Sequence, residues 1–419
     1  MLLSLLICSV LGAAAPVQAD SDTVRASGWR TDLAVWLREL HAQHYVLRHG
    51  PLPDSLLSAA DRYRAGVVRW SDDRALAELM RLAAMAGDGH TYVLPWGAAR
   101  FTSRVLPLRF YQFSDGLFVI DADSGQESWI GAKVVALADL PIPEVTRRIS
   151  AYVARDNDEG IVWAGPVLLR FVGFLEAITD RRFASAVPVR LRRQGRDTTI
   201  TFPLIPAPML RGVPKLIPSK LPTAPAAPLY LRDVATPYWF VPVASGTVYM
   251  QFNQVLDAAH EPLAAFAGRL DSVMTALRPA TLIVDVRHNN GGNLGLLDPL
   301  LAVLQAYTHG ARSGCLVVIS GRNTFSAGQV FLSRAEHEAR AEVVGEPSSS
   351  KPNFVGEENP VILPWSGALT SVSNRYHETI RGDHRAWIVP RPRIELGSTD
   401  YFANRDPVLE WILTGMRAK

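Results

Sequence analysis

Cysteine is almost absent. Cys8 and Cys315 are the only two in 419 residues, too few for a disulfide scaffold or a cysteine-ligated zinc site. Lysine is scarce as well: 43 basic residues include only five lysines, at 133, 215, 220, 351 and 419. No Lys/Arg-rich cluster marks a nucleic-acid footprint, and a formal net charge of +3 supplies none overall, so no nucleic-acid partner is expected. No His-Glu-x-x-His or comparable spacing occurs, so no metal and no other cofactor is expected. No internal repeat is present. Glycine and proline together make up about one residue in seven, well below the roughly 25–30% of a low-complexity chain. Beyond the first nineteen residues no apolar run reaches membrane-spanning length, which predicts a mature chain without an integral span.

What is present is an ordinary globular balance, 48% hydrophobic and 20% charged. At roughly 150 residues per domain, the length suggests two to three folded units. Residues 1–19 stand apart: none is charged, residues 2–15 are almost continuously apolar, and Val17-Gln18-Ala19 precedes Asp20. That pattern suits a signal peptide cleaved after Ala19, hence an exported protein, periplasmic or secreted. No basic residue precedes the apolar run, and the alternative is a retained anchor. Cys8 would leave with the leader. Cys315, at the head of the apolar run 315–319, is expected to be buried.

The mature chain divides into a helical N-terminal domain (20–98), a mixed α/β middle segment (99–205), a Pro-rich linker (206–228) and a patterned core (229–419). In the first, Leu33, Trp36, Leu37 and Leu40 form a helical stripe, and Leu76, Leu79 and Met80 another, with an N-cap cluster at 71–73. In the second, 118–120, 133–137 and 187–191 read as strands, with a helix after Pro143. Seven prolines between 206 and 228 mark a stiff extended connection. In the last third, strands at 247–252, 281–286, 315–320 and 341–344 alternate with helices at 262–277, 294–307 and 326–340, which implies βαβ crossovers and an α/β fold.

Four local patterns could carry chemistry. Ser326 lies between a buried strand and a helix, where the helix N-terminus supplies unpaired amides and positive dipole to a nucleophile; serine is equally a favoured N-cap. The turn Asn289-Asn290-Gly291-Gly292 follows a buried strand, and paired glycines let backbone N–H groups face an oxyanion, or simply make a turn. Asp285 and Arg287 beside it read as structural. His90, in Gly87-Asp88-Gly89-His90-Thr91, is a ready general base near neutrality or an ordinary buried histidine. Lys351 follows Ser326 by 25 residues; as a base it must lose about three pKa units, roughly 4 kcal/mol of environmental work, and otherwise it is a loop lysine.

Taken together, Asp285-x-Arg287-x-Asn289-x-Gly291-Gly292, Thr324-x-Ser326-Ala327-Gly328-Gln329 and Gly345-Glu346-x-Ser348-x-x-Lys351 resemble the tail-specific (C-terminal processing) serine proteases over about residues 245–415. Asp88-Gly89-His90-Thr91 and the helical N-terminal segment are similar to the tricorn-type branch, without a clear PDZ module. The resemblance implies a crotonase-like (ClpP/crotonase) peptidase core, a polypeptide substrate and Ser326 as nucleophile. It places the oxyanion amides at Gly291, Gly292 and Ala327. The base would be Lys351, as in the processing branch, or His90, as in the tricorn branch, with an acid near Asp383. Val355 stands where the lysine branch has a glutamine, and Gly89 where the histidine branch has a serine. His90 is favoured, with an expected pKa near 6–7. The other readings are a Ser326–Lys351 dyad, or an inactive relative that binds an apolar ligand or peptide. The sequence does not indicate an oligomeric state.

Overall fold

The computed structural model describes residues 22–95, 98–123, 125–207, 227–244, 246–310 and 314–415. The leader at 1–19 and all but the ends of the Pro-rich stretch at 206–228 lie outside the described residues.

Three helices open the chain: α1 (Asp22–Gln43), α2 (Asp54–Gly66) and α3 (Asp72–Ala84). The stripe Leu33, Trp36, Leu37 and Leu40 is buried against Leu76, Leu79 and Leu82 of α3 in one apolar cluster. Ser71 caps α3 by accepting the Arg74 amide, and Trp29 Nε1 donates to Asp72 at 2.8 Å, so α1 is tied to the start of α3. A two-residue strand, β1 (Tyr92–Val93), follows directly after His90.

The middle segment is an antiparallel sheet with helices inserted. Strand β2 (Arg104–Val105) leads into β3 (Leu108–Phe113), β4 (Gly116–Ala122), β5 (Lys133–Leu137) and β6 (Leu140–Pro141). Helices α4 (Ile142–Ile149), α5 (Glu159–Leu168) and α6 (Val172–Thr179) come next, then β7 (Ala186–Arg193), β8 (Arg196–Pro203) and β9 (Ile205–Pro206). The strand order is β3-β4-β5-β7-β8, with β6 on β5 and β2 on β9. Helix α6 lies so close to α3 that a β-carbon on Gly173 would sit 2.0 Å from the Asp73 carbonyl oxygen.

The last third builds a five-stranded sheet in sequential order: β10 (Tyr238–Ala244), β11 (Thr247–Phe252), β12 (Thr281–Asp285), β13 (Cys315–Ser320) and β14 (Glu342–Gly345). From β11 onward the pairing is parallel, with crossovers by α7 (Leu263–Leu277), α8 (Asp298–His309) and α9 (Ala327–Glu338). The runs at 282–284 and 316–319 are continuously apolar because apolar clusters cover both faces of the sheet. Cys315 differs from expectation: it is exposed, since it is the first residue of β13 and lies at the amino edge of the sheet, ahead of the buried run.

A long hairpin, β15 (Phe354–Ile362) and β16 (Leu369–His377), has no counterpart in the sequence reading. Its β16 pairs with β1, Tyr92 opposite Ser371, so the strand next to His90 belongs to a sheet made mostly by the C-terminal third. Helices α10 (Ser398–Phe402) and α11 (Pro407–Gly415) close the chain. Among the described residues no helix is long and apolar enough to cross a membrane.

Candidate active site

The carboxyl ends of β12, β13 and β14 deliver the three C-terminal motifs to one edge of the parallel sheet, the edge where open α/β sheets hold ligands. After β13, Gly321 N–H donates to Thr324 Oγ1, Thr324 Oγ1 donates to the Val286 carbonyl, and Phe325 N–H donates to the Asn289 carbonyl. The chain therefore arrives at Ser326 with no slack. Ser326 has φ +52° and ψ −126°, a conformation costly for any residue with a β-carbon, which projects its hydroxyl from the turn. Its side chain makes no capping bond to α9. Gly328 is required by close approach: a β-carbon there would meet the Asn289 carbonyl oxygen at 2.4 Å.

The partner of Ser326 comes from 236 residues earlier. His90 Nε2 lies 3.0 Å from Ser326 Oγ. The imidazole is buried between two rings: Phe325 at 4.5 Å between centroids and 24°, and Phe354 at 5.3 Å and 7°. Asp88 holds the loop, accepting the backbone amides of His90 and Thr91, the Ser373 hydroxyl and His44 Nε2. Because His44 Nδ1 accepts the amides of Val46 and Leu47, its proton is on Nε2 and points at Asp88. Burial pulls the pKa of His90 down to about 4; the Asp88 carboxylate and the Val355 backbone oppose this, and His377 adds to it. Burial of the ring thus points to a pKa below the expected 6–7.

The sequence reading passes over Asp156, which stitches this loop to the core. It accepts Gly89 N–H at 2.8 Å and the Ser350 hydroxyl at 2.6 Å. Burial raises its carboxyl to about 6, against the pull of Ser350, the Gly89 amide and Lys351. Gly89 itself has a spatial cause, because a β-carbon there would lie 2.7 Å from Phe325 Cζ, on the ring that stacks against His90.

The glycine turn behaves differently at its two positions. Gly291 (φ +108°) packs against Ser326, but its N–H donates to Asn289 Oδ1 at 3.0 Å, so that amide is already engaged. Among the described residues, the amides of Gly292 and Ala327 carry no hydrogen bond. Asp285 and Arg287 are structural, as expected. Arg287 bridges Asp285 and Asp406, and so ties the turn to the start of α11. Burial pushes Asp285 up, and the Arg287 guanidinium outweighs this and holds it below the usual carboxylate range.

Two expected members of the site are not brought to the pair. Among the described residues no hydrogen bond joins Lys351 to Ser326, whose Oγ is paired with His90. Asp383 lies in a turn whose carbonyls bind Asn353 Nδ2, and both its carboxylate oxygens are taken by Arg385. Among the described residues no carboxylate is hydrogen-bonded to the buried His90 Nδ1; the Val355 backbone is the group that hydrogen-bonds toward the ring. The Asp383 assignment is therefore corrected: this carboxylate is neutralised by its own neighbour two residues on. Asp383→Asn should leave kcat/KM within about twofold of wild type, an effect of no more than about 0.5 kcal/mol. Asp88→Asn, which weakens the loop bonds and the charge facing the imidazole, should cost at least about tenfold in the same assay.

Beside the pair is a cavity of about 180 Å³. Gly89, Asn290 and Phe325, neighbours of the base, the turn and the nucleophile, form one side, and its wall includes Leu94, Val153 and Trp163. Among the described residues no cluster of histidine, cysteine or carboxylate side chains is placed to hold a metal.

Neither a family model nor a curated protein matches the chain in sequence. Solved structures do. A mutant of CPAF superposes with a TM-score of 0.63 at 11% identity, over 91% of this chain and 95% of that one. Mature CPAF gives 0.60 at 13% identity, over 91% and 95%, and its complex with lactacystin 0.59 at 13%, over 91% and 96%. The chain has the fold seen in CPAF. At these identities the likeness concerns architecture, a mixed α/β arrangement of helices and several sheets. The chemistry must be argued from the residues.

Proposed function

We propose that the protein is an exported serine endopeptidase that hydrolyses polypeptides through an acyl-enzyme on Ser326. The observation that carries this reading is the 3.0 Å contact between His90 Nε2 and Ser326 Oγ, made by a hydroxyl in a strained turn that does not cap its helix. In the reading, His90 takes the Ser326 proton as Oγ attacks the scissile carbonyl, then delivers it to the leaving amine. The amides of Gly292 and Ala327, both without partners, receive the oxyanion. Gly291 supplies shape, by letting the turn approach Ser326. Stacking by Phe325 and Phe354 holds the imidazole plane, and Asp88 stabilises the imidazolium across space. The cavity beside the pair receives an apolar side chain adjoining the scissile bond. The parallel strands with covering helices, β11 to β14 with α7 to α9, are what we take as a crotonase-like core.

A fluorophosphonate probe should label Ser326 in the wild-type protein and leave Ser326→Ala unlabelled; wild-type protein that stays unlabelled while folded would favour an inactive, ligand-binding relative. The oxyanion assignment has its own test. A β-carbon at Gly292 (φ +138°) would lie 2.0 Å from the Val255 carbonyl oxygen, so Gly292→Ala must displace the turn. Turnover should fall about 10²–10³-fold, the cost of one oxyanion donor. Normal turnover at an unchanged melting temperature would make the turn a mere connector. Export is the part drawn from residues 1–19, and N-terminal sequencing of exported protein should read from Asp20.

A further inference from the structure

A second cavity, of about 130 Å³, lies between the middle segment and the carboxyl edge of the parallel sheet. Its size is near that of an engineered apolar cavity of about 150 Å³ known to admit a benzene ring. Phe110, Ile120, Trp163, Val167, Phe171 and Leu396 supply apolar wall. Arg109, Arg170, Arg287 and Arg322 also line it, with Glu346 as the one lining carboxylate. The acids that balance the other three arginines, Asp121, Asp123, Asp285 and Asp406, are not part of the lining. Every one of these guanidiniums is ion-paired, but in three of the four cases it is the cationic partner alone that lines the cavity.

Two buried polar groups on the lining lack partners among the described residues: the Tyr230 hydroxyl and Asn323 Nδ2. Tyr230 is 1% exposed and Asn323 5% exposed, so water outside does not satisfy them. A buried donor left unmade costs about 1–3 kcal/mol, and a cavity offering two of them beside four guanidiniums suits an anionic acceptor. The other end of the Asn323 carboxamide is already committed, because its Oδ1 accepts from Asn290 Nδ2 at 3.0 Å. Asn323 stands three residues before Ser326, and Asn290 directly precedes Gly291 within the glycine turn. Asn290 also lines the cavity beside His90, and Trp163 and Val167 are walls common to both cavities.

We propose that this second cavity is an effector site for a small apolar molecule bearing a carboxylate, held by Tyr230 and Asn323 and coupled to the active site through the Asn323–Asn290 hydrogen bond. Binding at this cavity does not depend on the chemistry of Ser326, whereas the effector role rests on the proposed peptidase activity. A ligand that fixes the Asn323 amide also fixes its Oδ1, and with it the Asn290 end of the turn whose next residues pack on the nucleophile.

The test uses the full chain with phenylacetate and, as the charge-reversed control of the same ring, phenethylamine. Calorimetric titration should show phenylacetate binding at about 1 mM or tighter, and phenethylamine at least about tenfold weaker. Tyr230→Phe removes a hydroxyl that has no partner, so the variant should fold with an unchanged or higher melting temperature and bind phenylacetate about tenfold less tightly. Saturating phenylacetate should change the rate of fluorophosphonate labelling at Ser326 at least about fivefold in the wild type. Absence of saturable binding, equal binding of the two probes, or an unaffected Tyr230→Phe overturns the site. Binding with an unchanged labelling rate overturns the coupling and hence the effector role. Protein that binds phenylacetate but never labels overturns the peptidase reading and the effector role with it, while the titration still reports on the cavity.

Discussion

Ser326→Ala is expected to lower kcat by roughly 10⁴–10⁶-fold with a melting temperature at or above that of wild type. The size of the loss follows from the geometry. Ser326 Oγ is the hydroxyl joined to the buried imidazole, and an alanine methyl can neither attack nor donate a proton. Residual turnover above background should survive, since the Gly292 and Ala327 amides and the binding cavity are untouched. Stability should not suffer, because the hydroxyl caps nothing in α9 and alanine occupies the same space. Measuring kcat on a polypeptide substrate together with the thermal transition separates loss of chemistry from loss of fold. Activity within a few-fold of wild type would remove Ser326 from the mechanism.

His90→Ala should be comparably damaging, roughly 10⁴–10⁶-fold in kcat, and Lys351→Ala should stay within about threefold. The pH profile adds a readout that a structural role would not move. A histidine base works as neutral imidazole, so on the proposed reading kcat/KM should rise as pH increases through about 4 and be level from about 5 to 7. A limb near 6.5 would mean that the ring is more exposed in solution than its stacking on Phe325 and Phe354 implies. The same shift acts on stability. The folded-state pKa lies below the unfolded value of about 6.5, so this contribution is complete above about 6.5 and is lost progressively as pH falls toward 4. Phe354→Ala should therefore raise the limb toward 6.5 while lowering kcat, as the imidazole gains water and loses its fixed plane. Reversal of the order, with Lys351→Ala the more damaging, would move the base to the processing-protease position.

The sequence by itself determined the local elements on which the site is mounted. Apolar runs at 282–284 and 316–319, short and rich in Val and Ile, read as strands buried on both faces, and the helical spacing between them reads as a crossover. Paired glycines after β12 and a serine ahead of α9 are legible because backbone freedom and helix ends demand particular residues over a short span. Tertiary structure decided everything that depends on residues far apart in the chain meeting. The β15–β16 hairpin, weakly patterned and carrying Pro360 and adjacent glutamates, was illegible locally, yet it pairs with β1 and brings Phe354 onto His90. Asp156 and Asp88 look like ordinary surface acids in sequence, and only packing makes them the anchors of the histidine loop. Asp383 shows the converse. The family resemblance put the third member of a triad near it, but a carboxylate two residues from an arginine pairs locally, at less entropic cost than reaching a buried ring. The pKa of His90 belongs to the same class, because it is lowered by burial and adjusted by His377 and the Val355 backbone, which no reading of residue 90 contains.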